Sequence, residues 1–128
     1  MTLEPATILI VDDEPFNVDY LEQELEDHGF RTVSAANGQE ALDAVAAAPP
    51  DLILLDVMMP GMDGPTTLER LRAMPQTAMV PVVFMTAKVM PHEIDHYKTL
   101  GALEVICKPF NPMTLSETLN TIWEQHRV

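Results

Sequence analysis

Apolar positions along this chain fall into two kinds of run. Ile8-Leu9-Ile10-Val11 and Leu52-Ile53-Leu54-Leu55 are short, continuous and bounded by polar residues, the pattern of strands buried on both faces. Val18, Leu21 and Leu25 instead recur at helical spacing until Gly29, a helix stop. Read this way, residues 6 to 11 form a strand and the helix follows it. Residues 30 to 35 read as a second strand, Asn37-Gly38 as a turn, and 39 to 48 as an Ala-rich helix closed by Pro49-Pro50. A third strand covers 51 to 55. Beyond a loop with Pro60, Gly61 and Gly64, Leu68 and Leu71 mark a helix over 65 to 74, and 81 to 85 is strand four. Pro91 opens a helix with Ile94, Tyr97 and Leu100 inward and Gly101 at its end. Residues 103 to 107 are strand five. The last helix, 112 to 125, turns Leu115, Leu119, Ile122 and Trp123 to the core. Strands alternating with helices predict an α/β fold, a doubly wound parallel sheet with right-handed crossovers, in either the Rossmann or the 2-1-3-4-5 order.

The polar residues that end these strands carry the chemistry. Asp12 and Asp13 follow the first apolar run and Asp56 follows the third. In an open parallel sheet ligands sit outside the carboxyl ends of the strands, so the three acids face one crevice. Like charges that close raise one another's pKa and destabilise the fold unless a cation neutralises them. Oxygen donors suit Mg²⁺, which takes one or two carboxylates, keeps waters and accepts phosphate oxygens. Thr86 and Lys108 stand at the ends of strands four and five and complete a cradle for an anionic phosphoryl group. Asp56 is the candidate nucleophile, able to form an acyl phosphate while a metal and Lys108 neutralise the transferring group. Any one of these residues could be a helix cap or a surface cation. Five at successive strand ends point to a site.

Composition narrows the alternatives. A length of 128 residues suits one domain, 1–128, without a separate output domain, and the initial Met1 and charged tail from Glu124 to Arg127 favour a complete small protein. The net charge of −13, from 20 acids against 7 Lys and Arg, repels nucleic-acid phosphate, so no direct nucleic-acid partner is expected. Scattered acids such as Glu22, Glu24, Glu26 and Asp27 serve solubility. No run approaches the roughly 20 apolar residues of a membrane span, and no signal peptide opens the chain, so a cytoplasmic protein without membrane insertion is expected. Cys107, the single cysteine, lies in an apolar run and reads as a buried structural thiol. Asp12-Asp13-Glu14-Pro15 stands where a nucleotide site needs a glycine-rich turn, and its sign is wrong for phosphate.

His92-Glu93-Ile94-Asp95-His96 is a literal zinc-protease pattern. The helix is short, no later histidine follows in the metzincin spacing and only Glu117 offers a distant ligand, so it reads as an exposed polar face. Met90 and Met113 are candidates for a partner face, Trp123 reads as packing, and His28 and His126 suit the negative ends of helix dipoles.

At these residues the chain resembles the receiver domain of two-component response regulators. Val11-Asp12-Asp13, the run from Leu54 to Gly64, Met85-Thr86-Ala87 and Lys108-Pro109-Phe110 carry the resemblance, which covers essentially the whole chain. It implies the flavodoxin-like order 2-1-3-4-5 and a stand-alone phosphoacceptor switch, with no catalysis beyond its own aspartyl phosphorylation and dephosphorylation. Asp56 would accept a phosphoryl group from a histidine kinase or histidine phosphotransfer protein. Asp13, Asp56 and the Met58 carbonyl would ligate Mg²⁺, Asp12 would help through water, and Thr86 and Lys108 would contact the phosphoryl group. Lys108-Pro109 would be a cis peptide. Phosphorylation would remodel the surface of helix four, strand five and helix five, where a downstream protein docks.

Two departures from the family pattern matter. Val105 replaces the aromatic residue many receivers carry three positions before the lysine, so activation is expected to work through the backbone from Thr86 to Met90 and the packing of Val105. Met58 and Lys88 occupy the positions that tune water access to the acyl phosphate, and an apolar Met58 predicts slower self-dephosphorylation than asparagine there. A dehalogenase-type phosphatase would want a second Asp where Met58 stands. A pure interaction module would not need the intact set of five.

Overall fold

The computed structural model describes residues 6–87, 90–108 and 112–126, excepting the side chains of 112–114, 116, 123, 125 and 126. Five strands, β1 Thr7–Val11, β2 Arg31–Ala35, β3 Leu52–Asp56, β4 Val82–Thr86 and β5 Glu104–Cys107, alternate with α1 Pro15–Asp27, α2 Gly38–Ala47, α3 Gly64–Arg72, α4 Pro91–Thr99 and α5 Pro112–His126. The strands pair in parallel in the order β2-β1-β3-β4-β5. The Rossmann alternative is thereby excluded.

Alternation along each strand splits the core into two layers. Leu9, Val11, Ile53, Leu55, Val82 and Phe84 pack with Ala41, Val45, Leu68, Leu71 and Tyr97 of α2, α3 and α4. Their neighbours Ile8, Ile10, Leu52, Leu54, Val83 and Met85 pack with Leu21, Leu25, Leu115, Leu119 and Ile122 of α1 and α5. With helices on both faces, continuous apolar strands gain more by burial than alternating ones would, at about 25 cal/mol per Å² of apolar surface.

Three expectations need correction. Asn37 is the N-cap of α2, its Oδ1 accepting from the Glu40 N–H at 2.9 Å, and Gly38 is helical. Glu40 in turn accepts from the Ala36 N–H at 3.0 Å, so the pair closes a helix start where a turn was expected. Cys107 is exposed, because β5 is an edge strand and its last residue lies beyond the core. Leu100 follows the end of α4 as its C-cap and is 41% exposed, leaving Tyr97 as that helix's buried residue. His28 is the C-cap of α1, with Nδ1 2.9 Å from the Glu24 carbonyl oxygen. The expectations for Met113, Trp123 and His126 fall on side chains outside those described.

Candidate functional site

The strand order brings the end of β3 between those of β1 and β4, and the loops that follow hold the acids in place. Asp12, the residue after β1, is anchored by its own N–H, which donates to the Ala35 carbonyl at 3.1 Å. Its buried carboxylate accepts from the Glu14 N–H at 2.9 Å and from Asn17 Nδ2 at 3.4 Å. Asp56 is the last residue of β3 and is buried, and its Oδ1 accepts from the Met58 N–H at 3.2 Å. Asp13 is exposed at the mouth.

Helix α3 starts close to this loop because Gly64 allows it. A Cβ at Gly64 would stand 2.5 Å from the Asp56 carbonyl oxygen and 2.8 Å from the Val57 Cα, backbone that cannot move aside. Asp63 caps α3 by accepting from the Thr66 N–H at 2.9 Å. Gly61, at φ +79°, supplies the left-handed turn in between.

From the other side of the sheet, Thr86 is buried as the last residue of β4. The Lys108 N–H donates to the Thr86 carbonyl at 2.9 Å, extending the β4–β5 ladder by one step. That step delivers the Lys108 ammonium to 3.1 Å from Asp12 Oδ2 and 3.2 Å from Asp56 Oδ1. Residues 12, 56 and 108 thus meet from three strand ends.

Charge and burial set the protonation states. Burial pushes the Asp56 carboxyl up to about 6, Asp12 adds to the rise, and Lys108 opposes it. Burial alone would lower the Lys108 ammonium, but the hydrogen bond and charge of Asp12, with those of Asp56, outweigh it and raise it. The carboxylates of Asp12, Asp13 and Asp56 each place one oxygen within 4.8 Å of the others. A buried acid held up in this way beside two others gains from a hard divalent cation, and an all-oxygen set fits Mg²⁺.

The remaining candidates divide. Met58 is 62% exposed beside the pocket, and Val105 is half-buried against the core layer of Phe84 and Tyr97. Lys88 and the Lys108–Pro109 bond lie outside the described residues. His92 and His96 are exposed on α4 and join no metal-competent group among the described residues. Sequence reasoning passed over Asn17, which reaches back to Asp12 from the first turn of α1, and the close approach at Gly64.

The chain has relatives among known proteins. Residues 8–120 match the response regulator receiver domain family. The chain is 33% identical to protein PilH of Pseudomonas aeruginosa over 91% of its own length and 97% of the relative's. It is 41% identical to the sporulation initiation phosphotransferase F of Bacillus subtilis over 81% of this chain and 82% of that one. It spans only 28% of a probable cyclic di-GMP phosphodiesterase of Vibrio cholerae and 50% of the transcriptional regulator PhoP of Bacillus subtilis. The solved chemotaxis response regulator CheY4 of Vibrio cholerae superposes with a TM-score of 0.88 at 34% identity, covering 92% of this chain and 98% of that one. The chain therefore belongs to the response regulator receiver domain family, the phosphoacceptor switches of two-component signalling.

Proposed function

We propose that Asp56 is the phosphoacceptor of this receiver and that its donor is the phosphohistidine of a histidine kinase or phosphotransfer protein. The observation that carries this reading is the position of Lys108 Nζ, 3.1 Å from Asp12 and 3.2 Å from Asp56. An Asp56 oxygen attacks phosphorus, the O–P bond forms as the donor's N–P bond breaks, and the departing imidazole takes its proton from solvent. Lys108 neutralises charge on the transferring group, and the Thr86 hydroxyl contacts it once transferred. Asp13, Asp56 and the Met58 backbone carbonyl, with Asp12 through water, would hold Mg²⁺, which would supply further charge neutralisation when bound. The protein catalyses only the making and breaking of its own acyl phosphate.

The phosphorylated state is read at the surface of α4, β5 and α5 by another protein, with residues 1–128 acting as one receiver unit in the cytoplasm. No described helix is long and apolar enough to cross a membrane. The test is incubation with acetyl phosphate and Mg²⁺ followed by intact mass. Wild type gains about 80 Da, one phosphoryl group, and Asp56→Asn or wild type without Mg²⁺ does not. An unchanged wild-type mass, or an equal gain in Asp56→Asn, overturns the assignment.

A further inference from the structure

Among the described residues, the ties of helix α4 gather at its C-terminal end. Its N-cap, Met90, forms no side-chain capping bond and is 59% exposed, and Pro91 and His92 are exposed beside it. The C-terminal end is tied three ways. Lys98 Nζ lies 3.3 Å from Glu104 Oε1 on β5. The Ala102 N–H donates to the Tyr97 carbonyl at 3.1 Å. The Gly101 carbonyl accepts from Arg72 Nη2 at 3.3 Å, while Nη1 of the same guanidinium is fixed by the Thr77 and Val80 carbonyls at 2.9 and 2.7 Å.

Tyr97, the one buried residue of the helix, stands at the start of the tied end. Its ring stands edge-on to Phe84, centroids 5.3 Å apart at 82°. Phe84 lies two residues before Thr86 and pairs in register with Leu55, the residue before Asp56. Tyr97 also lines an open cavity of ≈ 580 Å³ with Val57, Met58, Met59 and Pro60 of the loop that follows Asp56. The Met58 N–H in that loop donates to Asp56 itself. Val105, opposite Phe84 on β5, is aliphatic and brings no ring to this contact.

We propose that Tyr97 is a positioning residue that transmits the state of the Asp56 loop to helix α4. The inference rests on Asp56 being the acceptor. When that loop rearranges around a phosphorylated Asp56, the wall of the cavity moves against Tyr97. The helix then tilts about its tied C-terminal end, displacing its exposed N-terminal turn. The tyrosine needs no swing between two pockets. Its ring passes the push on to the helix, because Phe84 behind it belongs to a strand buried on both faces and does not give way.

The test separates phosphoryl uptake from the response of the helix. Wild type, Tyr97→Leu and Tyr97→Phe are treated with acetyl phosphate and Mg²⁺ for intact mass, and with beryllofluoride and Mg²⁺ for the amide shifts of His92, Ile94 and Lys98. Tyr97→Leu is expected to gain phosphoryl at a rate within about twofold of wild type. Its α4 shift changes should fall to roughly half or less, while Tyr97→Phe, which keeps the ring, responds as wild type. Should Tyr97→Leu not fold, Tyr97→Met is read in the same way. A full α4 response in the ringless variant, or an equal loss in Tyr97→Phe, overturns the inference and leaves the acceptor assignment standing. A wild type that gains no mass overturns both.

Discussion

Strands β3 and β4 are buried at every one of their five residues, whereas none of the four residues of β5 is fully buried. The first pair delivers Asp56 and Thr86, and the edge strand delivers Lys108 and borders α4. Chemistry that depends on placement within fractions of an ångström sits on the rigid pair. On the proposed reading, the surface that changes with phosphorylation sits on the loosely packed edge, where rearrangement breaks few contacts. Lys108 belongs to both regions, since its backbone extends the edge ladder while its ammonium joins the buried acids.

That dual membership gives the largest expected effect. Lys108→Ala removes the cation facing Asp12 and Asp56 and should slow phosphoryl uptake from acetyl phosphate roughly 10²–10³-fold, about 3–4 kcal/mol of transition-state stabilisation. A time course of intact mass at saturating Mg²⁺ measures it. A loss below about tenfold would place Lys108 with the packing of the edge and not with the chemistry.

The contrast in packing can be broken directly. Phe84→Ala on β4 should cost about 3–5 kcal/mol in urea unfolding, because Phe84 is fully buried and meets Tyr97 edge to face. Val105→Ala, its register partner on β5, is only half-buried and should cost roughly 1 kcal/mol. Similar costs at the two positions would mean that the edge is as tightly built as the centre.

The same contrast explains what was legible in the sequence. Ile8 to Val11 and Leu52 to Leu55 announced central strands, and the topology then forced Asp12, Asp13 and Asp56 together, so most of the site followed from strand ends alone. Cys107 misled because an apolar residue at the end of an edge strand looks the same in sequence as one in the core. Leu100 kept helical spacing one step past the end of α4. Asn37-Gly38 carried a turn signal and a helix-capping signal at once, and Glu40 three residues on settled it for the helix. The Gly64 approach to Asp56 and the Arg72 clamp on Gly101 depend on where one element meets another in space, which no local pattern encodes.

The smallest effect concerns protons. The Asp56 carboxyl sits at about 6 in the fold, above its ordinary value of 3.8, because burial and Asp12 outweigh Lys108. A raised folded value means that the metal-free protein holds this proton more tightly than the unfolded chain does. Its contribution to stability is therefore fully present below about pH 3.8 and is lost as pH rises through about 6. Cation binding needs the ionised acid, so metal and proton compete. At pH 5, one unit below the folded value, about ten molecules in eleven carry the proton, and the apparent Mg²⁺ affinity should be roughly tenfold weaker than at pH 7.5. Isothermal titration calorimetry at the two pH values measures this, with Asp56→Asn as the control that should lose the pH dependence along with the titrating group. Affinity that is flat between pH 5 and 7.5 in wild type would mean that the cation does not draw on Asp56. The rigid centre would then hold the proposed phosphoacceptor apart from its metal.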